Sequence, residues 1–113
     1  MTLSQRIATR HIFETRILIR LNRNNQNLAV HGWVRDLSES GFGAFVAEHL
    51  VMGELISVTI QLSASGKEVI PAKVTRQLGT QYGFQFTALS AEQRESIRTK
   101  LKEQPAIPFA DWK

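Results

Sequence analysis

Leu55-Ile56-Ser57-Val58-Thr59-Ile60-Gln61-Leu62 alternates apolar Ile56, Val58, Ile60 and Leu62 with polar Ser57, Thr59 and Gln61. Successive side chains on a strand point to opposite faces, so a period of two marks a strand with one face buried. The same pattern continues on both sides. Upstream, Ile17, Ile19 and Leu21 define a strand over about 15–22, and the turn-rich run Asn22 to Asn27 joins it to a second over Leu28 to Leu37. A third runs from Gly41 to Ala47 after the short polar connection Asp36 to Gly41. Downstream, Gly53 and Ser65-Gly66 mark turns around the fourth strand, while Val69 to Leu78 and Gln81 to Leu89 pair about Gly79-Thr80. Pro71 has no N–H to donate, which places part of the fifth strand at an edge or bulge. Six short strands with tight connections predict a mainly β fold, a closed or nearly closed antiparallel barrel that disposes of its edges. Trp33, Phe42, Phe45, Phe84 and Phe86 are assigned to its core or wall.

A single α-helix follows the strands. Ser90 with Gln93 fits a capping box, and Ile97 with Leu101 makes an i,i+4 apolar pair, so the helix is predicted over about Ala91 to Lys102. Beyond it, Pro105 and Pro108 make residues 104–113 an irregular tail whose Phe109 and Trp112 are expected to pack back on the domain. The resulting division is a flexible N-terminal segment over 1–12, a barrel with its helix over 13–103, and the tail.

The chain of 113 residues suffices for one domain, and 42% apolar with 21% charged residues is the composition of a folded globular protein. It contains no cysteine, which excludes disulfides and thiolate metal sites. Neither a signal-peptide h-region behind Arg6 nor an apolar run of membrane-spanning length is found, and a cytoplasmic location is expected. The net charge is +4, unevenly spread: Arg6, Arg10, Arg16, Arg20, Arg23 and Arg35 stand in the first 35 residues against one acid, Glu14, and the first lysine is Lys67. Arginine grips phosphate or a base edge with a planar fork and stacks on rings, so this third of the chain suits an anionic, nucleotide-like partner, or simply a solvated basic surface.

Two short patterns sit at the strand junctions: Arg6-Ile7-Ala8-Thr9-Arg10, an RxxxR leading into the first strand, and Asp36-Leu37-Ser38-Glu39-Ser40-Gly41, a DxSxxG between the second and third. Together they resemble the two signature motifs of the PilZ family in the family's order, and Gly83-Phe84-Gln85-Phe86 resembles its final strand before a helix. The resemblance spans about residues 6 to 102 and implies a six-stranded PilZ-type barrel that binds cyclic di-GMP. In that reading Arg6 and Arg10 grip guanine and phosphate, while Asp36, Ser38 and Gly41 frame the other side. The chemistry fits: guanine O6 and N7 form an acceptor pair for an arginine fork, and its N1–H and N2–H₂ edge suits the Asp36 carboxylate. Ser38 adds a hydroxyl that donates or accepts, and Gly41 allows a positive φ or a close backbone approach. Taken singly, each has a plainer reading: a solvated N-terminus, an Asx or Ser turn, a bulge glycine. Many family members carry a further arginine directly before the RxxxR; here that residue is Gln5, which removes one phosphate or guanine contact.

No metal or cofactor is expected, because His11, His31 and His49 are scattered without ligand spacing. No phosphate loop, nucleophile elbow or paired carboxylates accompany Ser38, Glu39 or Glu48, so catalysis is not expected either. The implied function is a receptor in which cyclic di-GMP draws the segment before Phe13 onto the barrel and thereby controls an effector protein of motility, biofilm, pilus or exopolysaccharide output. The alternatives are a PilZ-like adaptor that binds no nucleotide and a small-barrel nucleic-acid binder, the polymer being the less expected partner.

Overall fold

A computed structural model describes residues 9–107. The strands are β1 (His11–Arg23), β2 (Gln26–Leu37), β3 (Gly41–Val46), β4 (Leu55–Ser63), β5 (Gly66–Leu78) and β6 (Gln81–Phe86), followed by α1 (Ala91–Lys102). They close into an antiparallel barrel in the order β1-β2-β3-β6-β5-β4, with β4 returning to β1 through Leu18↔Thr59, Ile19↔Val58 and Arg20↔Ser57. The alternation in β4 falls as expected: Ile56, Val58, Ile60 and Leu62 are buried. They meet Ile17, Ile19 and Leu21 of β1 and Ile70, Ala72 and Val74 of β5 in one core. The helix carries the expected box, with Gln93 N–H donating to Ser90 Oγ and Ser90 N–H to Gln93 Oε1, each at 3.0 Å. Its buried Ile97 and Leu101 join the same core.

Several strands are longer than the alternation indicated. Asn24 and Asn25 have φ of 55° and 64°, the paired left-handed geometry of a two-residue hairpin whose twist matches its strands. The β1–β2 ladder therefore runs to Arg23↔Gln26. Pro71 is in register with Ser57 of β4, and on its other side it lies one residue beyond the last β5–β6 pair, Ala72↔Phe86, so it stands at a local edge as expected and not at a bulge. Its carbonyl accepts from Thr87 N–H at 3.0 Å, so its nitrogen faces the point where β6 has just ended and no donor is missed. Of the five aromatic residues expected in core or wall, Trp33 and Phe45 belong to the wall. They lie between the buried pairs Val34 and Ala44, Val46, and so point outward from the wall, while Phe42, Phe84 and Phe86 are in the core.

The boundary expected at Phe13 is displaced: β1 begins at His11 because residues after the helix partner it. Ile12 N–H donates to the Pro105 carbonyl and Ile107 N–H to the Arg10 carbonyl, each at 2.9 Å, with a bridge between His11 and Ala106. His11 Nδ1 lies 3.0 Å from the Gln104 carbonyl oxygen, which makes that nitrogen the donor. Residues 104–107 are thus irregular but tied down; Phe109 and Trp112 of the expected tail lie outside the described residues.

At the opposite end of β1, Arg23 holds Glu54 bidentately at 3.0 and 2.7 Å, and Val51 N–H donates to the same carboxylate at 3.0 Å. The Arg23 hydrogen bond holds the Glu54 carboxyl below the ordinary glutamate value, against burial, which pushes the other way. A carboxyl with a lowered folded-state pKa contributes stability that is fully present above its unfolded pKa and is lost as pH falls through the folded one. The stability difference between the natural chain and Glu54→Gln is therefore expected to be largest at neutral pH and to close in acid. Denaturant titrations across that range check this; a difference that does not change with pH contradicts it.

Candidate functional site

The site is assembled by two irregularities in the ladders. Between Val34↔Ala44 and Asp36↔Gly43, β2 contains one residue more than β3, so Arg35 is the extra residue of a bulge. Without it, Asp36 would share the inward face of Val34; with it, Asp36 turns to the outer face beside Gly43. A second bulge at Thr75 sets Arg76 opposite Gly83 in the same way. Phe42 and Ala44, and likewise Tyr82 and Phe84, point into the core, so the glycine between each pair faces out. The outcome is a row across four strands, Asp36–Gly43–Gly83–Arg76, with a carboxylate at one end and an arginine at the other, whose side-chain stem lies over Gly83, 3.2–3.5 Å from where a Cβ would stand. Beneath it the rings of Phe42 and Phe84 stack at 4.6 Å between centroids, which stiffens the floor.

The first motif reaches this row. Arg10 Nη1 donates to Asp36 Oδ1 across 26 residues of sequence, in an ion pair whose side chains are only 19% and 10% exposed. A planar guanidinium next to a carboxylate at a largely dry site is a strong contact and a directional one. A hollow of about 110 Å³ beside the pair is lined by Arg35, Asp36, Gly43, Ala44 and Gln81. Arg35 also lies 4.9 Å from the Phe45 ring centroid and 3.7 Å from Glu14. Arg6 falls outside the described residues.

Ser38 and Gly41 have structural roles in the turn and in the β3–β6 contact. Ser38 is buried, and its hydroxyl accepts from Ser40 N–H at 3.2 Å, while its N–H donates to the Gly41 carbonyl at 2.8 Å. It organises the turn that presents Asp36. Gly41 has no positive φ; a Cβ there would lie 1.9 Å from the Phe84 carbonyl oxygen. Its missing side chain lets β3 and β6 meet. The turn is anchored further by Phe86 N–H donating to the Ser40 carbonyl at 2.9 Å, and Arg98 of α1 reaches Glu39 at 3.3 Å.

Sequence reasoning did not include Gly43, Gly83 or Arg76 in the site. The first two carry a readable signal, since glycine inside a strand marks a place where something approaches the backbone closely. The alignment of Arg76 depends on a bulge and carries none. Among the described residues no group of three or more His, Asp or Glu could hold a metal ion, and no helix is long and apolar enough to cross a membrane.

The family model for the PilZ domain matches residues 4–103. The chain belongs to the PilZ domain family. Solved structures agree with it in fold. The PilZ domain with c-di-GMP of YcgR from Escherichia coli superposes with a TM-score of 0.67 at 15% identity, over 88% of this chain and 91% of that one. The PilZ domain of CeSA from a cellulose-synthesizing bacterium gives 0.63 at 17% identity, over 83% of this chain and 95% of that one. MrkH of K. pneumonia gives 0.61 at 18% identity, over 91% of this chain but 49% of that one. No curated protein matches the chain. PilZ domains are binding domains, and the Arg10–Asp36 pair with its glycine floor is this PilZ domain's candidate binding surface.

Proposed function

We propose that this PilZ domain is a receptor for cyclic di-GMP, acting in the bacterial cytoplasm, and that the ligand lies against the outer wall between the Arg6–Arg10 segment and the Asp36–Gly41 turn. The observation that carries this reading is the meeting of Arg10 with Asp36 beside the Gly43 backbone. The hollow itself is smaller than a cyclic dinucleotide, so the ligand covers it and extends past Gly43 towards the Arg76 side chain that lies over Gly83. An anionic phosphodiester needs arginine, and guanine's donor edge needs a carboxylate. Arg76 closes the far end as a further cation. The c-di-GMP held by the YcgR PilZ domain supports the choice of ligand.

Binding replaces part of the Arg10–Asp36 contact with contacts to ligand. Because residues 105–107 are hydrogen-bonded to residues 10–12, a shift of Arg10 passes directly to the chain beyond α1, where an effector protein reads it. The output of such an effector is motility, biofilm, pilus or exopolysaccharide production. A second reading, an adaptor that binds no nucleotide, is favoured by Ser38 and Gly41, whose roles in the turn and the β3–β6 contact are complete without a ligand.

Backbone amide shifts on titration with cyclic di-GMP separate the two. The receptor reading expects saturable shifts at Arg10, Asp36, Gly43 and Gly83, extending to Ala106, with Asn24 and Asn25 at the far hairpin unmoved. An unchanged spectrum at saturating nucleotide leaves the adaptor.

A further inference from the structure

The outer wall of β1–β3 bears a second surface, one register row from the ligand floor. Arg16, Trp33 and Phe45 lie side by side across the three strands. Trp33 is 42% exposed, although nothing in the barrel's architecture requires a large indole on that face. An open groove of about 360 Å³ beside the two rings is lined by Arg16, His31, Gly32, Trp33, Phe45 and Thr80 among others. Its surface is mostly carbon, and arginine dominates the three strands around it, with Glu48 exposed just beyond β3. Strands β1 to β3 contain only two acids, Glu14 and Asp36, and each has an arginine partner already. Arg16 and Arg20, both exposed, form no ion pair among the described residues.

We propose that this groove docks an acidic segment of a partner protein. One apolar side chain of the segment seats over Gly32 against the exposed Trp33 ring, and flanking carboxylates meet Arg16 and Arg20. Those arginines stand on the same face of β1, roughly 13 Å apart along the strand, so an extended partner presents its carboxylates about four positions apart. An exposed aromatic anchor beside unneutralised arginines is the composition of an interface core with its rim. A single-stranded nucleic acid fits less well. It needs successive ring faces for its bases, and the outward face of Phe45 is taken by the Arg35 guanidinium at 4.9 Å, which leaves Trp33 alone. The surface does not depend on nucleotide binding, and a domain that ignored cyclic di-GMP would still present it.

The test uses the full chain and short fluorescein-labelled peptides with glutamates four positions apart around one leucine or phenylalanine, read by fluorescence anisotropy. Saturable binding that weakens with salt is expected, with a loss of about tenfold in affinity in Trp33→Ala and again in Arg16→Glu. Arg16→Glu is a surface change, and an unaltered circular dichroism spectrum shows that it folds. Replacing the leucine or phenylalanine by glycine is expected to abolish binding. Absence of binding for every anchor overturns the proposal, as does affinity indifferent to both substitutions. An oligothymidine that binds in a Trp33-dependent manner where the peptides do not overturns it in favour of nucleic acid.

Discussion

Gly41→Ala is expected to destabilise the domain by about 3 kcal/mol or more, the upper end for a residue too large for its place in a packed interior. The new Cβ would sit 1.9 Å from the Phe84 oxygen, 2.9 Å from its carbonyl carbon and 3.1 Å from Gln85 Cα. All three are backbone atoms, so no rotamer change relieves the clash; β3 and β6 must separate, and with them the pairs Gly41↔Gln85 and Phe42↔Phe84. Because the sheet is closed, that separation also strains the neighbouring ladders, and for a domain of this size the midpoint of thermal unfolding is expected to fall by roughly 15 °C. Gly53→Ala is the control. There the φ of 83° costs a side chain about 1 to 2 kcal/mol, but a Cβ meets nothing within 4 Å. Equal losses for the two variants in thermal melts would contradict the close approach at Gly41. The experiment also separates two meanings of the DxSxxG glycine, since a residue reserved for ligand alone would tolerate alanine in the free protein.

Arg10→Ala is expected to have the largest effect on ligand affinity. Each charge-assisted contact contributes about 2 kcal/mol, which is roughly thirtyfold in affinity. The free protein should suffer too, because Asp36 is left as a largely buried carboxylate without its guanidinium. Exposed pairs are worth less than about 1 kcal/mol and breaking fully buried ones costs about 3–5, so for side chains 19% and 10% exposed a stability loss near 2 kcal/mol is expected. Arg10→Lys keeps the charge and loses the planar fork, and should recover stability more fully than affinity. Chemical denaturation and calorimetric titration of the two variants measure both quantities. Affinity unchanged in Arg10→Ala with stability reduced would make the pair purely structural.

Much of this organisation was legible in the residues themselves. The alternation from Ile56 to Leu62 placed the core face of β4, and Ser90 with Gln93 located the start of α1, because both depend on contacts local in sequence. Trp33 and Phe45 were assigned to core or wall without a choice between the two. Strand parity held the better signal, since Val34 and Trp33 are adjacent and only one can face inward. The rest depended on contacts distant along the chain. The bulge at Arg35 that re-aims Asp36 shows itself only in the register against β3, and nothing near Gly41 announces the carbonyl of Phe84. The pairing of residues 10–12 with 105–107 brings opposite ends of the domain together, which local pattern cannot reveal. The RxxxR and DxSxxG patterns pointed to the junction where Arg10 meets Asp36, yet they did not distinguish Asp36, which pairs with Arg10, from Ser38 and Gly41, which build the turn behind it.

Calorimetric titration of the full chain with cyclic di-GMP, with GMP as the control ligand, bears most directly on the receptor assignment. Saturable binding of cyclic di-GMP at micromolar or tighter affinity, absent for GMP and weakened roughly thirtyfold in Arg10→Ala, is the expected result. No saturable heat at high protein concentration would contradict it and leave this PilZ domain acting through protein contacts alone.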